Sequence, residues 1–177
     1  MGRRARVGMA AAAVLLVAAS ATYLGVVLTS RVHPGSGWYG LDDASGTMIH
    51  QLVPDSRVKI AVSVRNPGPA SITLDAVLIE MPELAIEDVT VMANSMRNPD
   101  CCRPERAEPF HPVKLATADE ALVWLVLRLT GAGRYMPCSS FALDSVEVRY
   151  RVLGIPRTQR IELPRAVSFG SPCEQVP

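Results

Sequence analysis

Polarity along this chain changes character once. From Val7 to Ser30 no residue is charged and most are apolar; beyond Arg31, short apolar runs alternate with polar positions and are broken by Gly and Pro. The first stretch holds 24 residues. As a helix it covers roughly 36 Å, enough for a hydrocarbon core of about 30 Å. It predicts one N-terminal transmembrane helix. Arg3, Arg4 and Arg6 precede it, whereas only Arg31 and His33 follow closely. That excess keeps a short N-terminus in the cytoplasm and sends the rest outward. The rival is a cleaved signal peptide, with Ala19-Ser20-Ala21 as the small-x-small site. Against cleavage, apolar residues continue through Tyr23, Leu24, Val26, Val27 and Leu28.

The later pattern predicts strands. Val58, Ile60, Val62 and Val64 alternate with Lys59, Ala61, Ser63 and Arg65, so one face is expected buried and the other wet. Asn66-Pro67-Gly68-Pro69 is a turn signal, after which Ile72, Leu74, Ala76 and Leu78 read as a second strand ended by Pro82. Ile86, Val89, Val91 and Met92 give a weaker short strand. A polar excursion over 94–109 carries Pro99, Pro104 and Pro109. Phe110 to Leu115 reads as an edge strand broken by Pro112. In Ala121 to Thr130, Val123, Leu125, Leu127 and Leu129 oppose Leu122, Trp124 and Val126, the mark of a buried strand. Ser145 to Leu153 alternates, Gly154 to Arg157 turns, and Thr158 to Leu163 returns as a hairpin that Val167 and Phe169 extend. Six to eight short strands with no soluble helix favour a two-sheet sandwich over an α/β fold.

The domain division follows: 1–31 as basic N-terminus and anchor, 32–46 as a Gly-rich tether, and 47–177 as an extracytoplasmic sandwich. Trp38 and Tyr39 lie in the tether, as headgroup anchors or as packing on the domain base. All 17 acidic residues follow Arg31, against 14 basic ones, so the outer part is near −3 and a nucleic-acid role is not expected. The basic residues are nearly all Arg, with Lys only at positions 59 and 114, a composition that suits a high-GC bacterial genome.

Four cysteines, Cys101, Cys102, Cys138 and Cys173, make an even count in an exported domain and favour disulfides. Three pairings exist in principle. Cys138 with Cys173 is favoured because it would tie the tail to the body. Cys101 and Cys102 are then left to each other, to reduced thiols or to a partner; alternatively each pairs with one distant Cys.

Asn66 to Gly68 after a Val-rich strand, the Phe110 to Val113 edge, and Val148 to Gln159 together resemble uncharacterised single-pass, membrane-anchored envelope proteins of actinobacteria. The resemblance covers most of the outer part. It implies an immunoglobulin-like sandwich with Cys near the positions of Cys138 and Cys173, and it brings no catalytic residues. The Cys101-Cys102 loop does not map onto that pattern, and Trp124 lacks the flanking strand cysteines of true immunoglobulin domains.

No nucleophile elbow, phosphate loop, zinc motif or dinucleotide fingerprint is present, so no catalysis and no cofactor are expected. Cys101, Cys102, His111 and Met96, with Met92 nearby, combine thiolate, imidazole and thioether, the donors that suit Cu(I). That is the alternative function, copper handling or thiol redox; an ordinary disulfide with Met as filler outweighs it. Arg149, Arg151, Arg157 and Arg160 form a possible anion-binding hairpin face, which a solvated strand face with Glu147 and Glu162 as partners outweighs. The resulting expectation is an all-β, immunoglobulin-like two-sheet sandwich preceded by one transmembrane helix. It would sit in the bilayer through residues 7–30 and bind or scaffold an envelope protein partner, with the 94–109 excursion as the docking surface.

Overall fold

The computed structural model describes residues 3–35, 48–51, 55–93, 104–130 and 139–170, with the side chains of the helix from residue 13 onward. One helix, α1 (Arg3–Thr29), precedes the strands β1 (His33–Pro34), β2 (Met48–Gln51), β3 (Arg57–Arg65), β4 (Ile72–Leu78), β5 (Leu84–Ala93), β6 (Glu108–Pro109), β7 (Val113–Leu115), β8 (Glu120–Leu129), β9 (Ser140–Val152) and β10 (Ile155–Gly170). They form two five-stranded sheets, β1-β3-β8-β5-β6 and β2-β10-β9-β4-β7. Neighbours are antiparallel except β2, which runs parallel to β10. The all-β sandwich expected from alternation is therefore present.

Alternation explains the inner core. Val58, Ile60, Val62 and Val64 of β3 meet Val123, Leu125, Leu127 and Leu129 of β8, and the layer opposite supplies Leu143, Val146, Val148, Tyr150 and Val152 of β9. Two strands depart from strict period two. In β4 the register skips Asp75, so the inward residues are Ile72, Leu74 and Val77 rather than the expected Ala76 and Leu78. In β5 it skips Glu87. Each bulge releases a carboxylate sideways onto arginine. Asp75 accepts from Arg151 in bidentate fashion, Nη2 to Oδ1 at 2.6 Å and Nε to Oδ2 at 2.9 Å. Glu87 takes Arg57 at 2.6 Å and Arg128 at 2.8 Å.

The expected wet face of β3 is covered in its middle, with Lys59 half-buried and Arg65 exposed. Ala61 and Ser63 are buried. Ala61, Met92, Leu122 and Trp124 make a second, outer cluster on the β3-β8-β5 face, with Ala107 packed against it. Lys59 Nζ stands 5.3 Å above the Trp124 ring. The reason is the chain returning through a 3-10 turn (Pro104–Arg106) into β6, which brings Ala107 onto this face.

At the junction of helix and sandwich, packing begins within the apolar run. The apolar run was expected to lie in the bilayer through residue 30, but Val27 and Ser30 are buried and Val27 belongs to the inner core. The tether was expected from residue 32, yet Val32 is buried and β1 pairs with β3 through His33↔Arg65 and Pro34↔Val64. Gly35 follows, and a Cβ there would collide with Ser63 Oγ and the Glu120 carboxylate, which hydrogen-bond each other. Residues 36–46, with Trp38 and Tyr39, lie outside the described residues. Among the described residues no helix is long and apolar enough to cross a membrane.

Candidate functional site

The most elaborated part of the molecule is the sandwich end that receives α1. Several backbone groups must be satisfied there, because the last carbonyls of a helix have no partners within it. Arg157 Nη1 donates to the Val27 carbonyl at 3.1 Å, placing a cation at the negative end of the helix dipole. Ser30 turns back on the helix, its Oγ donating to the Val26 carbonyl at 2.7 Å. The Gln159 side chain acts like a neighbouring strand toward Val32. Its Nε2 donates to the Val32 carbonyl at 2.8 Å, and its Oε1 accepts from the Val32 N–H at 3.1 Å. The Tyr150 hydroxyl lies 3.2 Å from Gln159 Oε1 and 3.3 Å from the Ser30 carbonyl. Burial pushes the Tyr150 phenol above its ordinary 10.0, with the charges of Arg157 and Arg31 opposing the rise.

Two loops reinforce this end. Asn66, fully buried, accepts from Gly68 N–H at 3.0 Å, and its amide reaches the carbonyls of Ala70, Leu115 and Ala116. The β3–β4 turn is thereby locked to the β7–β8 turn. The β9–β10 connection is a two-residue turn of Leu153 (φ 51) and Gly154 (φ 86). Both lie in the left-handed region, the combination a primed hairpin turn demands. Tyr23, from α1, donates its hydroxyl to the Leu153 carbonyl at 3.1 Å. The hairpin tip thus lies alongside the helix rather than beyond its end.

The four arginines of the hairpin are separated by role. Arg149 Nε pairs with Glu147 at 2.8 Å, Arg151 with Asp75, and Arg157 with the helix end. Arg160 donates to Ser145 Oγ at 2.7 Å and lies 3.3 Å from Asp144. Glu147 is thus a partner on the same strand, and Asp75 comes from the bulge in β4. The Ser145 hydroxyl, with Arg160 nearby, holds the Asp144 carboxyl below its ordinary 3.8. Asp144, Ser145, Glu147, Glu80 and Arg160 line an open groove of about 250 Å³ on that sheet.

Of the copper-type donors, only His111 and Met92 are among the described residues. His111 is exposed, its Nδ1 3.1 Å from the Pro109 carbonyl, and Met92 lies in the outer cluster. Met96, Cys101, Cys102, Cys138 and Cys173 lie outside the described residues. Among the described residues no group of three His, Cys, Asp or Glu could hold a metal ion. Sequence reading missed Gln159, Asn66 and Tyr150 as the fastening of this end. A buried Asn before Pro-Gly carried some signal; Val32, which Gln159 fastens, is 127 positions away and carried none.

No family model and no curated protein matches the chain. Among solved structures, the VesB protease of Vibrio cholerae is 9% identical over 71% of this chain and 31% of its own, with a TM-score of 0.35. A family 123 glycoside hydrolase from Clostridium perfringens is 11% identical over 84% of this chain and 28% of its own, with a TM-score of 0.38. The chain spans about a third of each, and likeness at that level carries no argument.

Proposed function

We propose that the chain is a membrane-tethered binding or scaffold module of the bacterial cell envelope, its N-terminus cytoplasmic and its immunoglobulin-like sandwich outside, with no catalysis of its own. The observation that carries this reading is the bare helix. Val14, Leu15, Leu16 and Val17 are four consecutive apolar side chains, each 68–70% exposed, and every side chain of α1 from residue 13 to residue 25 is uncovered. Consecutive residues point to all sides of a helix, so over 13–25 α1 has no covered face. Such a helix is stable when lipid surrounds it. The three arginines at its start, against Arg31 and His33 close after it, support the orientation.

The strand order supports the finer fold assignment. In the immunoglobulin arrangement, strands A-B-E-D face G-F-C; here β1-β3-β8-β5 stands against β10-β9-β4. The resemblance to actinobacterial anchored proteins agrees with both. A docking role for 94–109 is supported at its described end, where Glu108 and Pro109 form an exposed edge strand beside β5.

Membrane fractionation of the full chain tests the reading. It is expected to stay with the membrane in alkaline carbonate and to be digested by protease added outside intact spheroplasts. Release by carbonate, or protection of the sandwich in right-side-out cells, overturns it.

A further inference from the structure

We propose that the β9–β10 hairpin tip is a second membrane contact, seated in the headgroup layer, and that the outer edge of the hydrocarbon lies near Tyr23 rather than after Ser30. This rests on the reading of α1 as the anchor. Val26 is half-buried and Val27 and Ser30 are buried in the sandwich, so these residues are not available to lipid. The uncharged run before the first half-buried residue is Val7 to Gly25, 19 residues, and its described side chains, from Ala13 onward, are all bare. As a helix it is about 28 Å long, close to the roughly 30 Å of a hydrocarbon core. Taking the run through Ser30 would instead draw the sandwich into the lipid.

The hairpin tip lies at the level this places at the boundary. Tyr23 bonds the Leu153 carbonyl, and Tyr23 sits six residues before the helix end at Thr29, about 9 Å down its axis. Leu153 is 47% exposed, a large apolar side chain at a hairpin tip where Asn or Asp is the usual occupant. Tyr is the residue type of the interfacial belt. Arg157 stands on the Val27 carbonyl, four residues or about 6 Å higher, and Arg31 follows just past the helix end. Apart from Leu28, 56% exposed in the last turn of α1, the vertical order is apolar run, tyrosine with an exposed leucine, then cations. That is the order of hydrocarbon, interface and lipid phosphate. The occupant that fits is a phospholipid surface. With two points of contact the sandwich is held at a fixed angle to the bilayer rather than swinging on a tether.

The test uses the full chain in nanodiscs of phosphatidylcholine and phosphatidylglycerol, with lipids brominated near the top of the acyl chain. Leu153→Trp and, at the far end, Glu80→Trp are each compared with the parent. The added emission at position 153 is expected to fall roughly twofold or more on bromination, with that at position 80 unchanged. In the unsubstituted chain, a nitroxide high on the lipid chain should broaden the Leu153 methyl signals. Emission at position 153 as unquenched as at position 80, or unbroadened methyls, in disc-bound protein overturns the inference and leaves the anchor standing. Contact of the tip with a protein neighbour instead of lipid would give that result. Recovery of the chain outside the discs overturns both.

Discussion

At Leu153 the backbone is left-handed, and a branched side chain there is strained because its Cβ crowds the following carbonyl. Asn bears that conformation more easily. Leu153→Asn is therefore expected to stabilise the detergent-solubilised protein by about 1 kcal/mol, read from chemical denaturation. Equal or lower stability would mean the turn is not strained. Tyr150 makes a second residue-scale prediction. Its folded pKa is raised by burial, so the neutral phenol is the form the fold favours. Stability from this group is complete below the ordinary value of 10.0 and is lost as pH rises through the higher folded value. Unfolding free energy should decline above pH 10.0, and Tyr150→Phe should flatten that decline. An identical alkaline slope in the variant would assign the loss to other groups.

At the scale of elements, the outer cluster decides how much of the sandwich is core. Trp124 is buried on the face away from the sheet-to-sheet interior. Trp124→Ala should still cost about 3–5 kcal/mol, as for an interior aromatic, and a cost below about 1 kcal/mol would show that the cover over it is loose. The β8 pattern was legible: Leu122, Trp124 and Val126 opposite Val123, Leu125 and Leu127 read as buried on both faces, and so they mostly are. The β3 pattern misled, since Ser63 and Ala61 are small enough to read as a solvated face. Ala61 is covered by Ala107, more than 40 residues later, and Ser63 by Gly35 and Glu120, which alternation within a strand cannot foresee. The two bulges were illegible for a related reason. An extra residue in one strand is defined by its partner's register, and Asp75 and Glu87 look like ordinary outward positions until Arg151, Arg57 and Arg128 are set beside them. The hairpin was read well because its alternation and its turn are local, although its turn is Leu153-Gly154 and β10 begins directly at Ile155.

For the whole molecule, the candidate site was half legible. The apolar run and the arginines before it stand in the sequence, but the fastening of that run by Gln159, Arg157 and Tyr150 depends on chain crossings near 130 residues long. That fastening joins α1's last turn to the sandwich, so force applied along α1 passes into β9 and β10. These two strands are the longest in the fold and pair from Ile155↔Val152 at the helix end to Gly170↔Ser140 at the other. Cys138 precedes Ser140 by two residues and Cys173 follows Gly170 by three, so the ribbon ends with a cysteine shortly beyond each strand. A Cys138–Cys173 bond would staple the far end of the same ribbon whose near end is fastened to α1. Peptide mapping without reductant should recover these two cysteines linked. Reduction should lower stability by about 3–4 kcal/mol, the loop-closure value for a ring of roughly 35 residues. Linkage of either to Cys101 or Cys102 would refute the pairing and tie the 94–109 excursion to the far end of the sandwich, which would remove the reason to regard that excursion as a free docking surface.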